Sequence, residues 1–124
     1  MPGTNRTTGT TVDHGPIRET SAELGGYTAS IAAFHADVDA TPLLKGLPDD
    51  RCQCPHWGYV ISGSVSFGFP DHVEVFAAGD AFYVPAGHTN AVAAGSEAVM
   101  FSPTEELKAT EAVLLRNLQA MQSA

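Results

Sequence analysis

Positive charge is scarce in this chain. Six Lys and Arg stand against fourteen Asp and Glu, a formal net charge of −8, and a field of that sign repels a phosphate backbone. Nucleic acid is therefore not an expected partner. Long apolar runs are also missing: no stretch of about 18 apolar residues occurs, so no segment reads as a membrane span. The polar, threonine-rich stretch Met1 to Thr11 lacks the charged start and apolar centre of a secretory signal, which makes the cytoplasm the expected location. Cysteine is limited to Cys52 and Cys54, separated only by Gln53. A disulfide between them would close a tight, strained ring in a compartment that opposes it, so both read as thiols or thiolates.

What is present belongs to a folded domain. An apolar share of 44% with 16% charged residues over 124 positions is enough to offset the entropy of ordering one domain. Residues 1–18 carry Gly3, Gly9, Gly15 and Pro16 without hydrophobic periodicity and are expected to form a flexible or edge-lying arm. Tyr27 to Phe34 reads as a strand with Tyr27, Ala29, Ile31 and Ala33 on one face. Pro42 and Pro48 bracket Leu43, Leu44 and Leu47 in a short strand or turn. Then follow the closely spaced β-favouring runs His56 to Ile61, Val65 to Phe69, His72 to Phe76, Ala81 to Val84, His88 to Ala93 and Ala98 to Phe101, each bounded by turn residues. That spacing predicts an all-β sandwich or barrel over residues 19–101. Residues 102–124 change period: Ser102 as cap, Pro103 at the first position and Glu105 three residues on predict a helix. Its stripe of Leu107, Leu114, Leu118 and Met121 would pack on the barrel or on a dimer partner.

Two segments carry a family resemblance. Gly79-Asp80-Ala81-Phe82-Tyr83-Val84-Pro85-Ala86-Gly87 resembles the second cupin motif, G-x5-P-x-G-x2-H-x3-N. The first motif, G-x5-H-x-H-x3,4-E-x6-G, can be anchored at both ends. Counting forward from Gly46 sets Cys52-Gln53-Cys54 at H-x-H, and counting back from Gly63 sets His56 at the glutamate position. The departures are specific: cysteines replace histidines, His56 replaces glutamate, only Pro55 separates Cys54 from His56, and Asn90 stands at the second motif's histidine with His88 two residues earlier. The resemblance implies a cupin-type double-stranded β-helix, a jelly-roll barrel, over about residues 27–101, and a homodimer.

Side chains alternate along an extended chain, so Cys52, Cys54 and His56 can share the inner face, with His88 as a fourth donor or Asn90 in its stead. A set of two sulfurs and one or two imidazole nitrogens suits zinc. The two-histidine, one-carboxylate set of iron oxygenases is absent from these positions. Gly58 shares parity with His56 and would leave room for a ligand, and Asp50 would reach the barrel mouth beside the ligands. His14, His35 and His72 read as surface residues. Trp57, Tyr59, Phe67, Phe69, Phe76, Phe82 and Tyr83 read as core or dimer contacts. The expected function is a zinc-type centre in a barrel that holds a small molecule, acting in isomerisation, cyclisation or hydrolysis. The alternatives are a non-catalytic binding or sensing module without metal, and a thiol redox role for Cys52 and Cys54.

Overall fold

The computed structural model describes residues 3–13 and 15–123; His14 lies outside them. Ten strands precede one helix: β1 (Thr10–Asp13), β2 (Ile17–Leu24), β3 (Tyr27–Phe34), β4 (Val38–Asp39), β5 (His56–Ser62), β6 (Ser64–Gly68), β7 (Val73–Ala77), β8 (Ala81–Val84), β9 (Thr89–Val92), β10 (Glu97–Pro103) and α1 (Thr104–Ser123). The strands pair antiparallel into a six-stranded sheet ordered β1-β2-β3-β10-β5-β8 and a four-stranded sheet ordered β4-β9-β6-β7. The fold is the all-β one that the turn spacing predicts, in the jelly-roll arrangement that the cupin resemblance implies, with the expected C-terminal helix.

Strand alternation decides what lies between the sheets. Val60 of β5, Val65 and Phe67 of β6, Phe82 and Val84 of β8, Val92 of β9 and Ala98 of β10 form one buried cluster with Ala32 and Phe34 of β3. Phe82 stacks on Phe76 at 5.0 Å and meets Phe67 at 5.5 Å, so aromatic rings fill the middle of the barrel. A second cluster closes one end. There Leu44, Cys52 and Cys54 pack against Leu47 and against Leu107 and Leu114 of α1.

Three stretches sharpen or change the expectation. Within the stretch read as an arm, Thr10–Asp13 is a strand on the sheet edge, paired with β2 over Arg18 to Ser21. β2 itself pairs with β3 along its whole length, from Ile17↔Phe34 to Leu24↔Tyr27. Gly25 and Gly26 turn that hairpin with φ of +61° and +86°, values that suit a two-residue loop of glycines. Of the short strand or turn expected between Pro42 and Pro48, the stretch Thr41–Leu44 takes the turn, a single one of 3-10 type. Finally, β10 stays extended through Pro103, in register Ser102↔Thr28 and Pro103↔Tyr27, so the helix starts at Thr104. Ser102 is consequently an inward-facing strand residue and not the helix cap.

Candidate metal centre

Backbone pairing assembles the centre. Cys52 and His88 form an isolated antiparallel bridge outside the regular strands. The Cys52 amide donates to the His88 carbonyl at 2.8 Å, and the Gly87 and His88 amides both donate to the Cys52 carbonyl, at 2.8 and 3.2 Å. Two residues far apart in sequence are thereby held side by side. His56 opens β5 opposite Val84, and its ring meets that of His88 edge to face, with centroids 5.1 Å apart. One donor atom each from Cys52, His56 and His88 lie within 4.8 Å of one another, and all three residues are buried. Cys52 Sγ is 3.9 Å from His56 Nε2.

The outer nitrogens of the imidazoles are tethered. His88 Nδ1 lies 2.8 Å from the Pro85 carbonyl oxygen, which can only accept, so the proton is on Nδ1 and Nε2 keeps a lone pair. His56 Nδ1 lies 2.7 Å from Ser102 Oγ. An imidazole held by an oxygen partner at one nitrogen and presenting the other to a shared point is the usual arrangement of a metal-ligating histidine.

Burial keeps the group neutral. Desolvation, reinforced by His88, pulls His56 down to about 3, and burial lowers His88 against its Pro85 hydrogen bond. The Cys52 thiol donates to the Cys54 carbonyl at 3.7 Å and is pushed up by burial, opposed by its contacts with the Cys54 backbone and the Thr110 side chain. Burial first, then the nearby Cys52, raises Cys54 to about 12. Reactive cysteines need a stabilised thiolate, and neither sulfur has one, which removes the support for a thiol redox role.

Not every residue expected at the site arrives there. Cys54 is fully buried, but its thiol donates to the Pro55 carbonyl at 3.5 Å and lies outside the three-residue donor group. The chain is irregular from Gln53 to Pro55, so strict alternation does not carry through to Cys54. Gly58 leaves no room for a ligand: a Cβ there would run into the Phe82 ring and lie 2.6 Å from the Val99 carbonyl oxygen. Asp50 is exposed at φ +53°, and its carboxylate accepts from the Gly46 amide at 2.9 Å, which ties it to its own loop. Asn90 sits half-buried two residues beyond His88 on β9, its carbonyl accepting from the Ala40 amide at 2.9 Å. His35 and His72 are exposed. Two hydroxyl residues were not singled out from the sequence as site groups. Ser102 could have been found by extending the inward parity of Ala98 and Met100; Thr110, which touches Cys52 from α1, carries no sequence signal.

A cleft of about 220 Å³ lies between α1 and the loop before β5, lined by Leu47, Pro48, Gln53, Glu106, Ala109 and Thr110; none of the three donors lines it, and Thr110 stands between it and Cys52. A wider hollow of about 420 Å³ on the outside of the second sheet, between Asp37 and Ala93, contains none of the donors.

No family model and no curated protein matches the chain. Solved structures do. An RmlC-like cupin from Shewanella frigidimarina superposes with a TM-score of 0.56 at 18% identity, over 81% of this chain and 88% of that one. The polyketide cyclase RemF from Streptomyces resistomycificus gives 0.56 at 15%, over 83% and 79%. KdgF from a Halomonas species gives 0.50 at 19%, over 76% and 87%. Identities this low establish shared architecture only. Among the described residues, no helix is long and apolar enough to cross a membrane.

Proposed function

We propose, from the premise that this chain has the cupin fold, that it is a metal-binding barrel in which Cys52, His56 and His88 hold a zinc-like ion beside a small-molecule site. The observation that carries the reading is the convergence of one sulfur and two imidazoles within 4.8 Å, with His88 locked so that its free nitrogen is a lone pair. The donor set fits such an ion, because sulfur and nitrogen suit zinc and both histidines are neutral as ligation requires. A bound zinc ion would supply Lewis acidity for isomerisation, cyclisation or hydrolysis; RemF, a polyketide cyclase of similar fold, lends weight to cyclisation. The chain's own part is to exclude water with α1, Leu44 and the phenylalanine core, and the cleft bounded by Thr110 is the nearest place for an apolar ligand. Two buried free thiols fit a reducing, cytoplasmic setting. A homodimer would cover the aromatic outer face of the larger sheet, where Trp57, Tyr59 and Tyr83 are 41%, 47% and 50% exposed.

Elemental analysis of protein purified without chelator tests the centre. One zinc equivalent is expected in the parent and in Cys54→Ser, and little in Cys52→Ala, His56→Ala or His88→Ala. Full metal content in Cys52→Ala would overturn the assignment. One observation favours a second reading, a metal-free binding or sensing module: among the described residues, every buried side-chain nitrogen and oxygen already has a hydrogen-bond partner. A stoichiometric metabolite in metal-free purified protein would establish it.

A further inference from the structure

Cys52, His56 and His88 are 5%, 7% and 1% exposed, and neither the cleft beside Thr110 nor the hollow on the second sheet has a donor in its lining. Whatever binds at the centre must therefore displace part of its cover. We infer that α1 is a hinged cap over the centre, rooted at Thr104 and latched by Asn117, and that its release is the way in for a metal ion or small ligand. The root is firm. β10 stays paired with β3 up to Pro103↔Tyr27, the Thr104 amide donates to the Gly26 carbonyl at 3.0 Å, and the Thr104 and Thr28 hydroxyls share a hydrogen bond of 2.9 Å.

Beyond its root the helix rests mainly on the Thr41–Leu44 turn and touches the strands less. Leu107, Thr110, Leu114 and Asn117 recur at spacings of three, four and three, which sets them on one face. Leu107 and Leu114, both only half-buried, pack on the cluster of Leu44, Cys52 and Cys54. Asn117 closes the far end: its Nδ2 lies 2.7 Å from both the Leu43 and the Lys45 carbonyl oxygens. Carbonyls only accept, so both amide protons of this one side chain are committed to the turn. Leu43 is half-buried and Lys45 exposed, so water can take the place of Asn117 on release. The barrel itself parts less readily, since β5 is paired on both sides, with β10 and with β8. A segment held by few contacts opens locally while the rest stays folded. The cleft of about 220 Å³ lies along the seam, with Thr110 on the helix side and Leu47 on the other, so lifting α1 joins it to the centre.

The inference rests on the metal reading for one of its two readouts only. Cys52 and Cys54 both lie beneath the helix, so their reaction with a chromophoric disulfide in metal-free protein reads the opening of the cap. Opening exposes far less surface than unfolding, so at low urea the labelling rate should depend on urea much less steeply than global unfolding does. Asn117→Ala should raise that low-urea rate about 10-fold, through the loss of two contacts to carbonyls. Asn117→Asp keeps the shape but sets a carboxylate against two carbonyl oxygens, and should raise it at least as much. Val92→Ala, which leaves a hole in the barrel core away from α1, should lower global stability and leave the low-urea rate nearly unchanged. Zinc uptake, followed against a chromophoric chelator, should quicken in the Asn117 variants in step with labelling. Labelling that follows the global urea slope down to zero urea, or that Val92→Ala speeds as much as Asn117→Ala does, would overturn the cap. Zinc uptake left unchanged in variants that label faster would overturn the route. Should neither Asn117 variant fold, the urea slope of the parent decides alone. If the parent binds no zinc yet labels as expected, the metal reading fails and the cap stands.

Discussion

Acid should loosen this protein earlier than its carboxylates alone would dictate, and His56 is the reason. Its folded value is about 3 against an ordinary 6.5, with burial as the main cause. The sign follows from linkage. Between those two values the unfolded chain takes up a proton that the folded chain refuses, so stability is fully present above about pH 6.5 and is lost as the pH falls towards 3. For a single group with these two constants, the loss from neutral pH is about 2 kcal/mol at pH 5 and about 2.5 kcal/mol at pH 4.5. His88, also lowered by burial, acts in the same direction. For a domain of this size 2 kcal/mol corresponds to roughly 8 °C in Tm. Differential scanning calorimetry in the presence of a chelator, at pH 7, 6, 5 and 4.5, measures it. Asp39, Asp71 and Glu97 are held below their ordinary values by their partners, so they respond at lower pH, and His56→Gln separates the two effects. The variant should lose markedly less Tm than the parent between pH 7 and 5. Equal slopes in the two proteins would refute the account of His56 as a buried neutral base.

Two further outcomes follow from packing. Gly58→Ala places a methyl group 2.6 Å from the Val99 carbonyl oxygen and against Phe82, so thermal melting should show a loss of about 1–3 kcal/mol, the usual cost of overfilling a core; an unchanged Tm would mean that β5 and β10 can part there. The outer aromatics Tyr27, Trp57, Tyr59, Tyr83 and Phe101 are each about two-fifths to one-half exposed. At roughly 150–250 Å² per side chain they leave on the order of 500 Å² of apolar surface, a large part of the ~800 Å² per partner that a stable interface buries. Trp57 is the only tryptophan, so its emission should shift to the red on dilution as the homodimer parts, and added salt should tighten the pair by screening two chains of charge −8. Sedimentation of a monomer at high micromolar concentration would sink the dimer.

The strands that bury a face were legible, because alternation leaves a mark wherever one side meets the core. Tyr27–Phe34 and Ala81–Val84 fall where the pattern puts them. Its one-face set of Tyr27, Ala29, Ile31 and Ala33 is the outer face, with Phe34 and Ala32 in the core. β2 was not legible by that route. Its sequence, Ile-Arg-Glu-Thr-Ser-Ala-Glu-Leu, mixes charged and small residues on both faces, and it is held by an eight-residue register with β3. The available signal was Gly25-Gly26, two adjacent glycines between runs of equal length, which is hairpin chemistry and not hydrophobic patterning. The helix start was misplaced for a related reason. Ser-Pro-x-Glu reads locally as a cap, yet the register of β10 with β3 keeps Ser102 extended, and tertiary pairing outweighs a local preference worth about 1 kcal/mol.

The centre shows where a one-dimensional reading of spacing stops. Cys52, Cys54 and His56 are all buried, as alternation requires, but burial and convergence are separate conditions. Cys52 is aimed by its bridge to His88 and His56 by its place at the head of β5, whereas nothing pairs Gln53 to Pro55 into a ladder. Pro55 has no amide to donate, so the chain there is free to turn Cys54 towards Leu44 and α1. The same proline leaves a carbonyl beside the Cys54 thiol. The donor group thereby drops from two thiols to one. A divalent ion held by a single Cys52 thiolate and two neutral imidazoles would retain net positive charge among buried side chains. The centre should therefore favour an anionic fourth ligand over a neutral one, a preference that a second thiolate would have cancelled.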